Sequence, residues 1–264
     1  MAGPRPRHRR PAPAGQHFFG RRTAADVVRR ARLGAELVVE IGAGRGVLTH
    51  EIARRCARVL AVELDPQLTR RLRNRFDATS VVRIVQGDAL CMTLPHEPFR
   101  AIGNVPFGIT SALLRRLLAE GSMFRADLVV QEQVAVELTA RRPRSLLALS
   151  AAPWWRFERG LRLPAHLFHP RPSVDASVLT LTRRELPLVE PSARARYLQL
   201  VRTAFGNAGA PLSRALAPIA RSREIRGALR EMGLDASTRA VDLGTEEFVA
   251  LAAALGRRRI SRGR

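Results

Sequence analysis

Val38-Val39-Glu40-Ile41-Gly42-Ala43-Gly44-Arg45-Gly46 is an apolar run that takes on an acidic residue and then breaks into three glycines. A strand-length apolar stretch that ends in such a turn and leads into a helical pattern puts glycines where backbone must approach a ligand with no Cβ in the way. A dinucleotide fingerprint spaces its glycines as G-x-G-x-x-G and seats a pyrophosphate on the helix N-terminus. Here the third glycine falls two residues after the second, and Glu40 stands just before the turn. That polarity suits a cationic ligand. S-adenosylmethionine, with its ammonium and sulfonium, fits it.

Outward from this turn, strand and helix patterns alternate. A helix is expected from Thr23, as N-cap, to Ala31; strands over Leu37–Ile41, Val59–Glu63, Val81–Gln86, Phe99–Ile102 and Leu128–Val130; helices over Val47–Arg55 and Gln67–Phe76. This alternation predicts an α/β protein with a mostly parallel, doubly wound sheet. Past Arg144 the pattern changes, and Leu146–Ala152 and Val174–Thr182 are expected as strands of an antiparallel edge. Beyond Leu186-Pro187 only helical signals remain, in Ala193–Phe205, Leu212–Ala220, Ser222–Met232 and Thr245–Leu255. The organisation expected is a basic arm over 1–14, a Rossmann-like domain over 15–185, a small helical domain over 186–256 and a basic tail over 257–264.

Three further places carry chemistry. Glu63 closes the strand after the glycine turn, where a carboxylate can take both hydroxyls of a ribose. Asp88, in Gly87-Asp88-Ala89 after the third strand, can accept a hydrogen bond from an adenine amine, although an Asx turn is the commoner use of such a residue. Asn104-Val105-Pro106-Phe107 then follows a strand and precedes a helix, where open α/β sheets place reacting groups. The lone pair of an aromatic amine is delocalised into its ring, so attack on a methyl sulfonium needs that nitrogen drawn toward tetrahedral geometry. An Asn oxygen and a backbone carbonyl can do this; Pro106 stiffens the chain, and Phe107 offers a stacking face for a base turned out of its helix. Taken alone, the same tetrapeptide would be a helix cap with a core aromatic. Joined to the glycine turn, it reads as an acceptor site facing a methyl donor.

Composition sets the partner. The 264 residues hold 45 basic side chains, all arginine, against 23 acidic ones, a formal net charge of +22. A GC-rich coding sequence accounts for part of the lysine absence but not for the charge, which favours a polyanion. The two cysteines, Cys56 and Cys91, form no C-x-x-C pair and the six histidines are scattered, so neither a disulfide framework nor a metal site is expected. Nor is a membrane span or a signal peptide. A cytoplasmic monomer is expected.

Gly15-Gln16-His17-Phe18, Glu40–Gly46, Ala61–Asp65, Gln86–Leu90, Asn104–Phe107 and Phe168–Val178 (FHPRPSVDASV), in this order, resemble the rRNA adenine N6-methyltransferases, and within them the Erm enzymes of macrolide, lincosamide and streptogramin B resistance. The likeness is strong over Gly15–Arg184 and looser beyond. It implies a Rossmann-like methyltransferase domain with a helical C-terminal domain, acting on one adenine in the peptidyl-transferase loop of 23S rRNA before or during ribosome assembly. By the family pattern Gln16 and His17 lie near the cofactor, Gly42 and Gly44 form its turn, Glu63 holds the ribose, and Asp88 and Ala89 read the adenine. Asn104 orients the target amine, while Phe107 and Phe168 sandwich the base. The family commonly has Asn where His17 stands and Tyr where Phe107 stands.

Rival readings are the related enzyme that dimethylates adenines of small-subunit 16S rRNA, a non-catalytic RNA-binding relative, and an NAD-dependent oxidoreductase. Intact Glu63, Asp88 and Asn104 speak against the second, and the glycine spacing against the third.

Overall fold

A computed structural model describes residues 16–260. The arm expected over 1–14 and the last four residues of the expected tail lie outside them. The chain runs β1 (Phe18–Phe19), α1 (Arg21–Ala31), β2 (Leu37–Ile41), α2 (Val47–Ala53), β3 (Arg58–Glu63), α3 (Pro66–Phe76), β4 (Val82–Gln86) and β5 (Phe99–Asn104). It continues through α4 (Thr110–Ala119), β6 (Met123–Gln131), α5 (Glu132–Thr139), α6 (Leu146–Ala151), β7 (Trp155–Leu163), β8 (Phe168–His169) and β9 (Ala176–Arg183). Four helices close it: α7 (Arg194–Gly206), α8 (Leu212–Ala215), α9 (Ser222–Glu231) and α10 (Thr245–Ile260).

Seven strands form one sheet in the order β4-β3-β2-β5-β6-β9-β7, and β1 pairs with β8 in a separate two-stranded ribbon. The pairs β3–β4, β2–β3 and β2–β5 are parallel, with Glu63 opposite Gln86 and Ile41 opposite Gly103. The reversal of strand order beside β2 opens a crevice at the carboxyl ends, where this topology binds ligands. Close approach of β2 and β5 depends on Gly103, since a Cβ there would sit 2.5 Å from the Ile41 carbonyl oxygen.

The chain forms two compact units. The first takes in the residues up to Ser122 together with Asp127–Glu132 and Leu161–Val178. Its core is built by the buried stripes of the helices: Ala24, Val27, Val28 and Ala31 on α1, and Leu113, Leu114, Leu117 and Leu118 on α4. Burying each such leucine contributes about 1.5–3 kcal/mol. The second unit comprises Met123–Ala126, Gln133–Gly160 and Leu179 onward. There Tyr197, Leu200 and Val201 of α7, Ile225 and Leu229 of α9, and Phe248 and Leu251 of α10 are buried, and the Tyr197 hydroxyl donates to the Leu149 carbonyl at 2.9 Å.

Two local expectations fail for identifiable reasons. The first helix starts at Arg21 behind an extended Gly20, so Thr23 is its third residue, buried rather than capping. Leu146–Ala151 is a helix and not a strand: Ser145 caps it by accepting from the Ala148 N–H, and a Leu/Ala run without a β-branched residue favours helix. The strand beside β9 is instead β7, which begins at Trp155.

Candidate active site

The glycine turn is built by backbone geometry that only glycine adopts without strain. Gly42, Gly44 and Gly46 have φ of +72, +57 and +74°. A Cβ on Gly44 would meet the Phe18 ring at 2.9 Å, and one on Gly46 would meet Leu72 at 2.7 Å. Four of the turn's N–H groups are already committed: Gly42 and Ala43 both donate to the Val62 carbonyl at 3.0 Å, Gly46 donates to the Ala43 carbonyl at 2.9 Å, and Gly44 donates to Glu63 Oε2 at 2.7 Å. A pyrophosphate would need such donors free.

Glu63 is buried at 2% exposure, and its other oxygen takes the Asp65 N–H at 2.9 Å. One carboxylate thus fixes the turn on one side and, on the other, the start of α3, where Asp65 caps Gln67 and Leu68. The Glu63 carbonyl accepts from Gly87 at 3.0 Å, which brings the Asp88 turn alongside. Asp88 Oδ1 itself takes the Leu90 N–H at 2.8 Å, the Asx turn that is common after a strand.

Behind the turn, both carboxylate oxygens of Glu40 are fully buried with no hydrogen-bond partner among the described residues. Burial pushes this carboxyl up to about 8; Thr49 pulls it back and the negative charge of Glu63 adds to the rise. With the glycine N–H groups spent within the protein, the turn offers few donors to an anion in the adjoining space.

That space is a cavity of about 480 Å³, whose lining includes Gln16, His17, Gly42, Gly44, Glu63, Asn104 and Phe168 from the expected set. Asp88, Ala89 and Phe107 are not among its lining residues. Phe107 opens the turn Phe107–Ile109 and lies 5.2 Å, ring to ring, from His17. Phe168 is 4% exposed and packs edge-on against Phe19 at 5.7 Å, so it belongs to the core while forming part of the cavity wall.

Sequence reasoning missed how the N-terminal strand closes the site. β1 pairs antiparallel with β8, placing Phe18 opposite His169 and Phe19 opposite Phe168. Asn104 Nδ2 donates to the His17 carbonyl at 2.6 Å, which fixes the amide and leaves its oxygen as an acceptor. The His17 ring in turn hydrogen-bonds the Pro170 carbonyl at 2.7 Å through Nδ1. His17 therefore bridges the acceptor loop and the Phe168 loop through main chain and ring together. Arg45, to which the sequence assigns no role, lines the cavity with its guanidinium 4.7 Å from the Phe18 ring centre. His166 and Leu167, in the turn before Phe168, also line it.

The Phe168 loop is held from beneath. Asp175 Oδ1 accepts from the Ala165 N–H at 2.8 Å and Oδ2 from Arg162 at 2.7 Å, while the Asp175 carbonyl accepts from the Glu132 N–H at 2.9 Å. These bonds hold the Asp175 carboxyl below the usual range, that to Ala165 most strongly. Ser177 hydrogen-bonds the Glu132 carboxylate. Among the described residues no group of three or more His, Cys, Asp or Glu could hold a metal ion, and no helix is long and apolar enough to cross a membrane.

Comparison with known proteins agrees with this arrangement. The family model described as ribosomal RNA adenine dimethylase matches residues 14–256. The chain is 36% identical over 228 residues to an rRNA adenine N-6-methyltransferase of Streptomyces fradiae, spanning 84% of this chain and 71% of that one. It is 34% identical over 252 residues to a ribosomal RNA small subunit methyltransferase A of Acidobacterium capsulatum, spanning 90% and 88%. The crystal structure of the 23S rRNA methyltransferase ErmE matches with a TM-score of 0.81 at 30% identity, covering 90% of this chain and 99% of that one. The chain belongs to the ribosomal RNA adenine dimethylase family, and its fold is that of an S-adenosylmethionine-dependent methyltransferase.

Proposed function

We propose that the cavity holds S-adenosylmethionine and that the protein methylates the N6 amine of one adenine in the peptidyl-transferase loop of 23S rRNA, conferring macrolide, lincosamide and streptogramin B resistance. The observation that carries this reading is Asn104: its amide is pinned by the His17 carbonyl in the wall of the same cavity that Glu63 and the glycine turn form. When bound, the cofactor supplies an electrophilic methyl group.

The chain's residues do the rest by positioning. Glu63 braces the turn and presents its remaining lone pairs to a ribose. Asn104 Oδ1 accepts from the target amine, drawing its nitrogen toward tetrahedral geometry. Phe107 and Phe168 supply ring faces for a flipped base. Asp88 and Ala89 stand at the end of the neighbouring strand to read the cofactor's adenine, and Gln16 and His17 flank it. No general base is required, because the amine loses its proton only after the methyl has moved.

A small-subunit rRNA target is the second reading, favoured by the 34% identity to the Acidobacterium capsulatum relative over 88% of its length. Likeness to ErmE over 90% of this chain supports the 23S target. The test is methyl transfer to protein-free 23S and 16S rRNA, with the modified adenine mapped by primer extension and nucleoside mass spectrometry. A single modified 23S adenine is expected. Modification of 16S rRNA alone would establish the second reading, and no transfer to either would refute both. The protein is expected to act as a cytoplasmic monomer, which sedimentation in the presence and absence of the transcript tests.

A further inference from the structure

We infer that a groove lined by Arg156, Thr182, Arg183 and Arg184 is a second RNA contact, with Arg156 and Arg184 gripping phosphate oxygens of the backbone. None of these residues lines the catalytic cavity. The inference rests on the rRNA reading above and assigns part of the substrate contact to a place that no catalytic motif marks.

The groove lies in the second unit, where β7 starts and β9 ends. Its foundation is the buried tryptophan pair. Trp155 carries the Arg183 guanidinium 4.6 Å from its ring centre, and Trp154 carries that of Arg194 at 4.7 Å. Arg183 and Arg184 each spend their Nε on a carbonyl, of Met123 and Ala152 respectively, both at 2.9 Å. The Arg184 N–H is bonded to the Trp154 carbonyl at 2.9 Å as well. Arg183 is held at its ring contact and Nε, and Arg184 at its own N–H and Nε, so part of the rotamer freedom that binding would remove is already gone. The terminal nitrogens of Arg184 keep the planar fork that matches a phosphate.

Arg156 and Arg184 carry charge without a close carboxylate partner among the described residues. No ion pair to Arg156 or Arg184 occurs among the described residues, Arg156 is exposed, and Glu185 is the sole carboxylate in the lining. Burial and the like charge of Arg156 hold Arg184 below the usual guanidinium range, and Glu246 pulls it back. Adjacent cations left repelling one another in a concavity are stabilised by a bridging polyanion. The groove's volume of about 360 Å³ accommodates a phosphodiester group.

The experiment is fluorescence anisotropy of a labelled transcript of the 23S peptidyl-transferase loop against the full chain, titrated over a range of salt. The variants are Arg156→Gln, Arg156→Gln with Arg184→Gln, and, as an equal charge change elsewhere, Arg70→Gln with Arg71→Gln on the exposed side of α3. Each phosphate contact contributes about 0.7–0.9 to the slope of log affinity against log salt, so the single variant should lose about that and the double about 1.4–1.8. The α3 pair should lose clearly less. Arg156→Gln leaves the Arg184–Ala152 bond in place, so it reports on binding even where the double variant unfolds. A groove variant that loses no more slope than the α3 pair overturns the inference. A wild-type protein that fails to bind the transcript overturns the substrate reading, and the groove's assignment falls with it.

Discussion

Glu63→Gln separates what this carboxylate does for the fold from what it does for the ligand. Its two oxygens take the N–H groups of Gly44 at 2.7 Å and Asp65 at 2.9 Å at a site only 2% exposed, so water cannot easily replace either. A glutamine keeps one acceptor and turns an amide nitrogen toward the other donor. A buried donor left unpaired costs about 1–3 kcal/mol. For a domain of this size that lowers the melting temperature by roughly 2–12 °C, taking about 2–4 °C per kcal/mol. Glu63→Ala strands both donors, at about 2–6 kcal/mol, a large part of a typical total stability, and so is the less informative variant. Bonds from ribose hydroxyls to a neutral amide are also weaker than to a carboxylate, so S-adenosylmethionine affinity should fall about tenfold or more. Thermal melting by circular dichroism and calorimetric titration measure the two effects separately. A Glu63→Gln protein that melts with the wild type would refute the bracing role, and one that also binds the cofactor at wild-type affinity would remove Glu63 from the site.

Other expectations follow from single geometric facts. Asn104→Ala should abolish most methyl transfer while calorimetry still detects the cofactor; full activity would remove Asn104 from the acceptor site. Gly44→Ala forces a left-handed residue to carry a Cβ 2.9 Å from the Phe18 ring, so it should lose about 1–2 kcal/mol from the backbone alone and weaken cofactor binding, which urea denaturation and titration check. Glu40 holds its proton up to about pH 8 when folded, whereas its ordinary value is 4.5. The unfolded chain has released that proton across the interval, so this residue makes stability fall as pH rises from about 4.5 to about 8 and stay level above. Glu40→Gln should remove that slope in melts taken across the range. Arg100→Lys keeps the charge but loses the fork that Nε and Nη2 present to Asp127, at 2.9 and 2.7 Å. It should destabilise by about 1–3 kcal/mol for each oxygen left without a donor.

The parallel half of the sheet was legible because its signals are local. Apolar runs of strand length, each closed by a glycine or an acid, carry β2 through β5 to within two residues, and Glu63 and Asn104 are legible from standing at or just past the ends of such runs. Leu146–Ala152 reads as a strand because so short a stretch has no period to distinguish helix from strand, and only the Ser145 cap decides it. The bond from Asn104 to His17 spans 87 residues, and the pairing of Phe19 with Phe168 is longer still; no local rule reaches them. Arg45 carries no local signal, and it joins the cavity wall where β1 lays the Phe18 ring beneath its guanidinium.

The arginine excess divides between two kinds of work. At the loops around the cavity, guanidinium groups clasp main chain: Arg75 donates to the Arg45 carbonyl at 2.8 Å and ties down the glycine turn. Arg116 of α4 donates to the carbonyls of Leu90 and Met92, which fixes the turn that starts at Asp88. Arg162 meets Asp175 under the Phe168 loop. Arg100 is buried with the carboxylates of Asp127 and Glu36 and the carbonyls at the end of α1. A lysine, with one compact charge on a flexible stem, has no rigid planar fork to hold two such acceptors at fixed positions. Codon bias can explain why a surface cation is arginine, but not why Arg75, Arg100 and Arg116 reach two acceptors or a loop carbonyl across sequence gaps of 24 to 69 residues. Charges committed to carbonyls still contribute to the field that draws RNA in, yet they offer few donors to grip it. Arg184 differs from these: its Nε is held by the Ala152 carbonyl, while its terminal nitrogens make no hydrogen bond among the described residues and remain for a phosphate.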